Sequence, residues 1–170
     1  MSPTAHAGAA GEAAVPNPSP NVTIFDPSVL NDPGPRADRW RACILLVEDD
    51  ETVLDTFARM LRLEGYDVLT SAHPEDGLEE AQNNRPDAII LDFRMPLLDG
   101  LGFLRQLRAL PYQRTTPVAI VTGDYFLDDH ITRELHELGA EVCFKPMWLE
   151  QLVDLARKLI AQHGEQRHSA

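Results

Sequence analysis

AIILDFRMPLLDG, residues 88–100, is the stretch whose reading decides the fold. Ile89, Ile90 and Leu91 run without interruption into Asp92, after which Phe93-Arg94-Met95-Pro96 and Asp99-Gly100 turn the chain. An apolar run bounded by Pro and Asp-Gly is the pattern of a strand covered on both faces, as in a parallel sheet. Asp92 falls at the C-terminal end of that strand. Ligands of open α/β sheets bind at this edge, so its carboxylate is a candidate nucleophile or metal ligand. An aspartate can also serve there simply to end a strand, and the other strand ends decide between the two readings.

Upstream, Cys43-Ile44-Leu45-Leu46-Val47 reads as a buried strand that ends in Glu48-Asp49-Asp50. Val53, Leu54, Phe57, Met60 and Leu61 recur at helical spacing, with Asp50 placed to cap and Gly65 where a left-handed C-terminal residue is wanted. Residues 66–71 form a second strand. Pro74 suits the first turn of a second helix, which Asn83-Asn84-Arg85-Pro86 breaks.

Downstream of Asp99-Gly100, Leu101, Leu104, Leu107 and Leu110 mark a third helix, and residues 118–121 a fourth strand with Thr122 at its end. Ile131, Leu135 and Leu138 predict a fourth helix closed by Gly139, and Val142-Cys143-Phe144 a short fifth strand ending at Lys145-Pro146. A last helix runs from Leu149 to Ile160. Strands alternating with helices in this way predict an α/β fold: a doubly wound, five-stranded parallel sheet with five helices and right-handed crossovers.

A chain of 170 residues with 44% hydrophobic content has room for one ordinary domain and a tail. Seven of the thirteen prolines lie in the first forty residues, so residues 1–41 read as a disordered Pro/Ala-rich tail in which VTIFDPSVL (22–30) is an apolar island. The folded unit is expected over residues 42–161, followed by a flexible polar tail over 162–170. A formal charge of -12 opposes binding to nucleic acid or to an anionic membrane, and points to proteins or cations as partners. No apolar run is long enough for a membrane span and no secretory signal is legible, which places the expected site of action in the cytoplasm. Cys43 and Cys143, each in a predicted strand, suit reduced core thiols better than a disulfide or metal site.

Glu48-Asp49, Asp92, Thr122 and Lys145 all stand at strand C-termini, and in one parallel sheet these share an edge. Three carboxylates gathered within about 4 to 6 Å repel by several kcal/mol, so a proton or a cation must sit among them. An all-oxygen set without His or Cys favours Mg²⁺. Lys145 adds positive charge and Thr122 a hydrogen-bond donor, and the set fits phosphoryl transfer with Asp92 as nucleophile.

With LLVEDD (45–50), IILDFRMPLLDG (89–100), IVTG (120–123) and FKP (144–146) in this order, the chain resembles the receiver domain of two-component response regulators over about residues 42–161. The resemblance implies a flavodoxin-like receiver fold with Asp92 as the phosphorylated residue. It also implies a Mg²⁺ site made by Asp92 with Asp49 as a direct ligand, Glu48 through water and the backbone carbonyl of Arg94. Thr122 and Lys145 take phosphate-sensing roles, and the Lys145-Pro146 peptide is cis. The implied phosphoryl donor is a phosphohistidine on a sensor histidine kinase or a histidine phosphotransfer protein. The protein is then expected to be a stand-alone phosphoacceptor switch rather than an enzyme. It would have no DNA-binding output domain and no direct contact with nucleic acid or membrane, and would signal to a downstream protein target.

Two rivals carry part of the same pattern. A degenerate receiver would be a constitutive binding module, and a Mg²⁺-dependent phosphohydrolase would use the same aspartyl phosphate on a small substrate. The second needs an acid-base carboxylate two residues past the nucleophile, where Arg94 stands. Val142 departs from the family, many members of which carry Phe or Tyr three residues before the lysine and swing it inward on phosphorylation. The Thr122 to Lys145 stretch is about a residue longer than in the commonest receivers. Its Tyr125, Phe126 and Asp128-Asp129 read either as a specificity surface or as cover and N-terminal charge for the fourth helix. Arg94 and Asp124, each two residues beyond a site residue, are expected to pair across the rim. His130 and His136 belong to a solvated helix face, His163 and His168 to the tail, and Trp40 and Trp148 are expected to seal the two ends of the core.

Overall fold

The computed structural model describes residues 41–168. Residues 1–40 of the expected tail over 1–41, its apolar island at 22–30 and Trp40 lie outside the described residues, as do positions 169 and 170. Five strands alternate with five helices: β1 Cys43–Val47, α1 Glu51–Leu63, β2 Asp67–Ser71, α2 Pro74–Asn84, β3 Ala88–Asp92, α3 Gly100–Ala109, β4 Val118–Thr122, α4 Asp129–Glu137, β5 Ala140–Phe144 and α5 Leu149–His168. The strands form one sheet in the order β2-β1-β3-β4-β5, parallel throughout. This is the doubly wound architecture that the alternation of apolar runs predicts.

Period-two alternation along the buried strands splits the core in two. Leu45, Val47, Ile89, Leu91 and Ile120 point to one face, where Phe103, Leu104 and Leu107 of α3 and Leu135 of α4 pack on them. Ile44, Leu46, Ile90, Ala119 and Val121 point to the other, against Leu54, Ala58 and Leu61 of α1 and Leu152, Ala156 and Leu159 of α5. β1, β3 and β4 are buried on both faces along their whole length, which is why their sequences are continuous apolar runs.

Capping follows the turn chemistry. The Asp50 carboxylate accepts from the N–H groups of Thr52 and Val53 at the start of α1, and Asp99 accepts from Gly102 N–H at the start of α3. Gly65 has φ of 93°, the left-handed conformation expected after α1. Gly100 serves a different purpose: a Cβ there would stand 3.0 Å from the Cα of Phe93, a tight contact with backbone, so glycine lets the start of α3 close easily onto the chain leaving Asp92.

Two expectations need correction. α5 runs to His168, seven residues past the expected end of the folded unit at 161. Residues after Ile160 carry little apolar surface, but Gln162, Glu165, Gln166 and Arg167 are good helix formers and no proline stops them. His163 consequently belongs to α5, with Nε2 3.5 Å from the Asp87 carboxylate. Trp148 does not seal the core: it is 69% exposed, at the position just before α5, with its backbone N–H donating to the Gln151 side chain. The residues of α5 buried in this core are Leu152, Leu155, Ala156 and Leu159 instead.

Candidate functional site

In a sheet of this order the chain leaves β1 and β3 in opposite directions, and the crevice between their C-terminal ends is where open α/β sheets hold ligands. Glu48 follows β1 directly and Asp92 ends β3; both are buried. Asp49, next in line, is exposed. One carboxylate oxygen from each of Glu48, Asp49 and Asp92 lies within 4.8 Å of the others. The ladder continues past the strand ends, with Phe93 N–H donating to the Val121 carbonyl at 2.8 Å and Lys145 N–H to the Thr122 carbonyl at 2.7 Å. These bonds fix where Asp92, Thr122 and Lys145 stand relative to one another.

The Lys145 ammonium is 2.9 Å from Glu48 Oε2 and 3.1 Å from Asp92 Oδ1. Burial pushes the Glu48 carboxyl above the usual carboxylate range, against the pull of the Lys145 hydrogen bond, and the nearby Asp92 charge adds to the rise. Burial likewise raises Asp92, opposed by the charge and hydrogen bond of Lys145 and by the backbone N–H of Arg94. Apolar residues Leu46, Leu54, Phe57, Ile90 and Val121 line the small hollow that Glu48 and Asp92 share with the core, which accounts for the desolvation. For Lys145 burial disfavours the charge, but Glu48 and Asp92 outweigh it and hold the ammonium above its ordinary value.

Three carboxylates against one ammonium leave two negative charges unbalanced when all are ionised. A hard divalent cation with oxygen ligands fits that deficit, and among these residues there is no His or Cys to favour a softer metal.

Thr122, fully buried, is placed beside the acids by its strand, while its hydroxyl accepts from Asp124 N–H at 3.1 Å. Arg94 sends its guanidinium outward to the Asp124 carboxylate, so the expected pair across the rim is present. Asp124 is held below its ordinary value by the Phe126 N–H and by Arg94. Leu97, in the same loop as Arg94, is 96% exposed and holds a left-handed φ of 71°, a conformation that non-glycine residues adopt sparingly and mostly at functional loops.

Val142 is half-buried against the α3 and α4 face of the core, and no ring occupies that position. Tyr125 and Phe126 do not cover α4. Phe126 is 92% exposed, and Tyr125 lies over Phe144 with ring centroids 5.2 Å apart, its hydroxyl donating to the carbonyl of Lys145. Asp128 does cap α4, accepting from His130 N–H, and Asp129 supplies acidic charge in the first turn. His130 and His136 are exposed on α4 as expected. Neither Cys43 nor Cys143 forms a disulfide among the described residues. Among the described residues no helix is long and apolar enough to cross a membrane.

A family model described as the response regulator receiver domain matches residues 44–157. The chain is 37% identical over 122 residues to the transcriptional regulatory protein PrrA of Mycobacterium tuberculosis, covering 71% of this chain and 51% of that protein. It is 40% identical over 123 residues to the alkaline phosphatase synthesis transcriptional regulatory protein PhoP of Bacillus subtilis, covering 72% and 49%. It therefore spans about half the length of these curated relatives. Among solved structures it resembles a response regulator receiver domain protein from Clostridium thermocellum, with TM-score 0.66, 29% identity, and coverage of 74% of this chain and 98% of that one. It also resembles the chemotaxis protein CheY4 of Vibrio cholerae, with TM-score 0.65, 28% identity, and coverage of 70% and 98%. The chain belongs to the response regulator receiver domain family of two-component systems. Its cluster of buried and exposed carboxylates is consistent with a phosphorylation site.

Proposed function

We propose that this chain is a phosphoacceptor switch that takes a phosphoryl group onto Asp92 from a phosphohistidine of a sensor histidine kinase or histidine phosphotransfer protein. The observation that carries the reading is the joint placement of Glu48, Asp49 and Asp92 with the Lys145 ammonium at one sheet edge. The Asp92 oxygen attacks phosphorus while the phosphorus–nitrogen bond breaks, and the histidine nitrogen leaves with the electron pair.

Glu48, Asp49, Asp92 and the Arg94 carbonyl would hold Mg²⁺, whose contribution is positive charge against the phosphoryl oxygens. Lys145 faces the same oxygens as a compact point charge, a role that suits lysine better than arginine. Thr122 would turn its hydroxyl toward them. In this reading the receiver unit spans residues 42–161 after a tail at 1–41, with the polar last turns of α5 continuing beyond it. It acts in the cytoplasm and signals through protein contacts rather than nucleic acid, which the formal charge of -12 supports. Its chemistry is confined to gaining and losing its own phosphoryl group, so it is a signalling domain and not an enzyme acting on a separate substrate.

Incubation with acetyl phosphate tests the reading by intact mass. The wild-type chain should gain one phosphoryl group in Mg²⁺ and none in EDTA, and Asp92→Asn should gain none in either. Equal uptake by Asp92→Asn, or uptake without metal, would sink the assignment.

The Arg94–Asp124 pair predicts a slower loss of phosphate, because it bridges the two loops that flank Asp92 and narrows the approach of water. Arg94→Ala and Asp124→Ala should each speed loss a few-fold, on the order of 2- to 5-fold. The double variant should be no faster than either single one, and salt should narrow the gap, as for any exposed pair. Strictly additive rate changes would show that the two act independently.

A further inference from the structure

We propose that Tyr125 is a clasp on the unphosphorylated site, and that it opens when Asp92 carries a phosphoryl group. The inference rests on the reading of Asp92 as phosphoacceptor. The Tyr125 hydroxyl donates to the backbone carbonyl of Lys145, and its ring stacks on Phe144, with planes 9° apart. Both partners lie at the end of β5, immediately around the residue whose ammonium touches Glu48 and Asp92.

The loop that carries Tyr125 is tied at its other end to the same site. The Thr122 hydroxyl accepts from Asp124 N–H, and the Thr122 carbonyl accepts from Lys145 N–H. Residues 122–125 thus form a short strap fixed to Thr122 by the chain and to Lys145 by the tyrosine hydroxyl. Tyr125 is 60% exposed and Phe144 46% exposed, so the stack is a surface contact and no packed core holds the ring in place. Val142, half-buried, supplies no ring at its own position of β5.

A phosphoryl group brings a charge of about -1.5 to -2 to an oxygen pair whose nearer atom is now 3.1 Å from Lys145 Nζ. The ammonium, at present shared between Glu48 and Asp92, is drawn toward the new charge. Nζ and the carbonyl that accepts from Tyr125 belong to one residue, pinned through its N–H to Thr122. Movement of Lys145 therefore displaces the acceptor of the tyrosine hydroxyl. A contact made in one state only biases the equilibrium toward that state, and phosphorylation and clasp opening must favour each other equally.

The test uses the full chain labelled with 3-fluorotyrosine and titrated with beryllofluoride and Mg²⁺, the beryllofluoride standing in for a phosphoryl group on a carboxylate. The sequence has three tyrosines, Tyr66, Tyr112 and Tyr125, so Tyr125→Phe assigns the fluorine spectrum. The Tyr125 resonance should move on saturation while those of Tyr66 and Tyr112 hold still. Tyr125→Phe keeps the ring and loses one hydrogen bond, and should half-saturate at about 2- to 10-fold lower beryllofluoride than wild type. Tyr125→Leu, which also removes the stack, should tighten binding at least as much.

A Tyr125 resonance that stays in place overturns the clasp, as does binding by Tyr125→Phe that is equal to or weaker than wild type. Failure of the wild-type chain to bind beryllofluoride at all, matching Asp92→Asn, would bring down the phosphoacceptor reading and the clasp with it. The two failures are therefore distinguishable.

Discussion

Lys145→Met is expected to lower the stability of the fold by about 2 to 3 kcal/mol at neutral pH without divalent metal, with Mg²⁺ returning most of the loss. The side chains of Glu48 and Asp92 are only 10% and 5% exposed. Removing the ammonium between them leaves two carboxylates facing each other away from water. Breaking a buried pair costs roughly 3 to 5 kcal/mol, but Lys145 itself is 31% exposed, so solvent recovers part of the charge. The loss should shrink as the pH falls and the carboxylates protonate. On the proposed reading Mg²⁺ would bind only the folded arrangement of the three acids, and with the competing ammonium gone it should stabilise the variant more than the wild type. Urea denaturation in EDTA and in Mg²⁺ measures both effects. A variant as stable as wild type in EDTA would show that the ion pair does not hold the cluster together.

Asp92→Asn is expected to act in the opposite direction, raising stability in EDTA by about 1 to 2 kcal/mol, the size usual when a strained functional group is removed. Asparagine keeps the shape and removes one of the crowded charges, while Lys145 retains Glu48. The effect should carry a pH signature. In the unfolded chain Asp92 titrates at its ordinary value of 3.8, and burial raises it in the folded chain. Between these two values the folded state binds more protons than the unfolded one, so stability rises as the pH falls through that window. The wild-type penalty relative to Asp92→Asn is complete above the folded value and gone below the unfolded one. Addition of Mg²⁺ should reverse the order at neutral pH, because the metal needs the ionised carboxylate. Thermal melts of both proteins across that range decide the matter. A difference that does not vary with pH would place its origin in packing.

Much of this architecture is legible in the residues themselves. β1, β3 and β4 are buried on both faces, so four or five consecutive apolar residues announce each of them, and Asp50, Asp99, Pro74 and Gly65 punctuate the helices by local chemistry alone. The acid cluster is equally legible once the sheet is known to be parallel, since every strand then ends at the same edge. The features that escape are those decided by contact across the fold. Trp148 looks like a core residue by type, and only its place in the β5–α5 turn leaves it in solvent. Tyr125 sits in a loop whose spacing carries no period, so neither its stack on Phe144 nor its bond to Lys145 is encoded by neighbours in sequence. The last two turns of α5 have polar helix formers and no apolar stripe, and a reading based on buried periodicity ends too early.

The strand order also divides the site mechanically. Glu48 and Asp92 grow from β1 and β3, each hydrogen-bonded to a strand on both sides and sealed by helices above and below. Lys145 grows from β5, which among the described residues has a neighbour on one side only and is only partly buried along most of its length. Two stiff supports therefore carry the anions, and a compliant one carries the cation. When force is applied between them, the deflection goes into the softer spring. On the proposed reading, a change of charge at Asp92 is expected to leave that residue where it is and to move the outer margin of the sheet, so that a rigid reaction centre and a movable edge would coexist in one small domain.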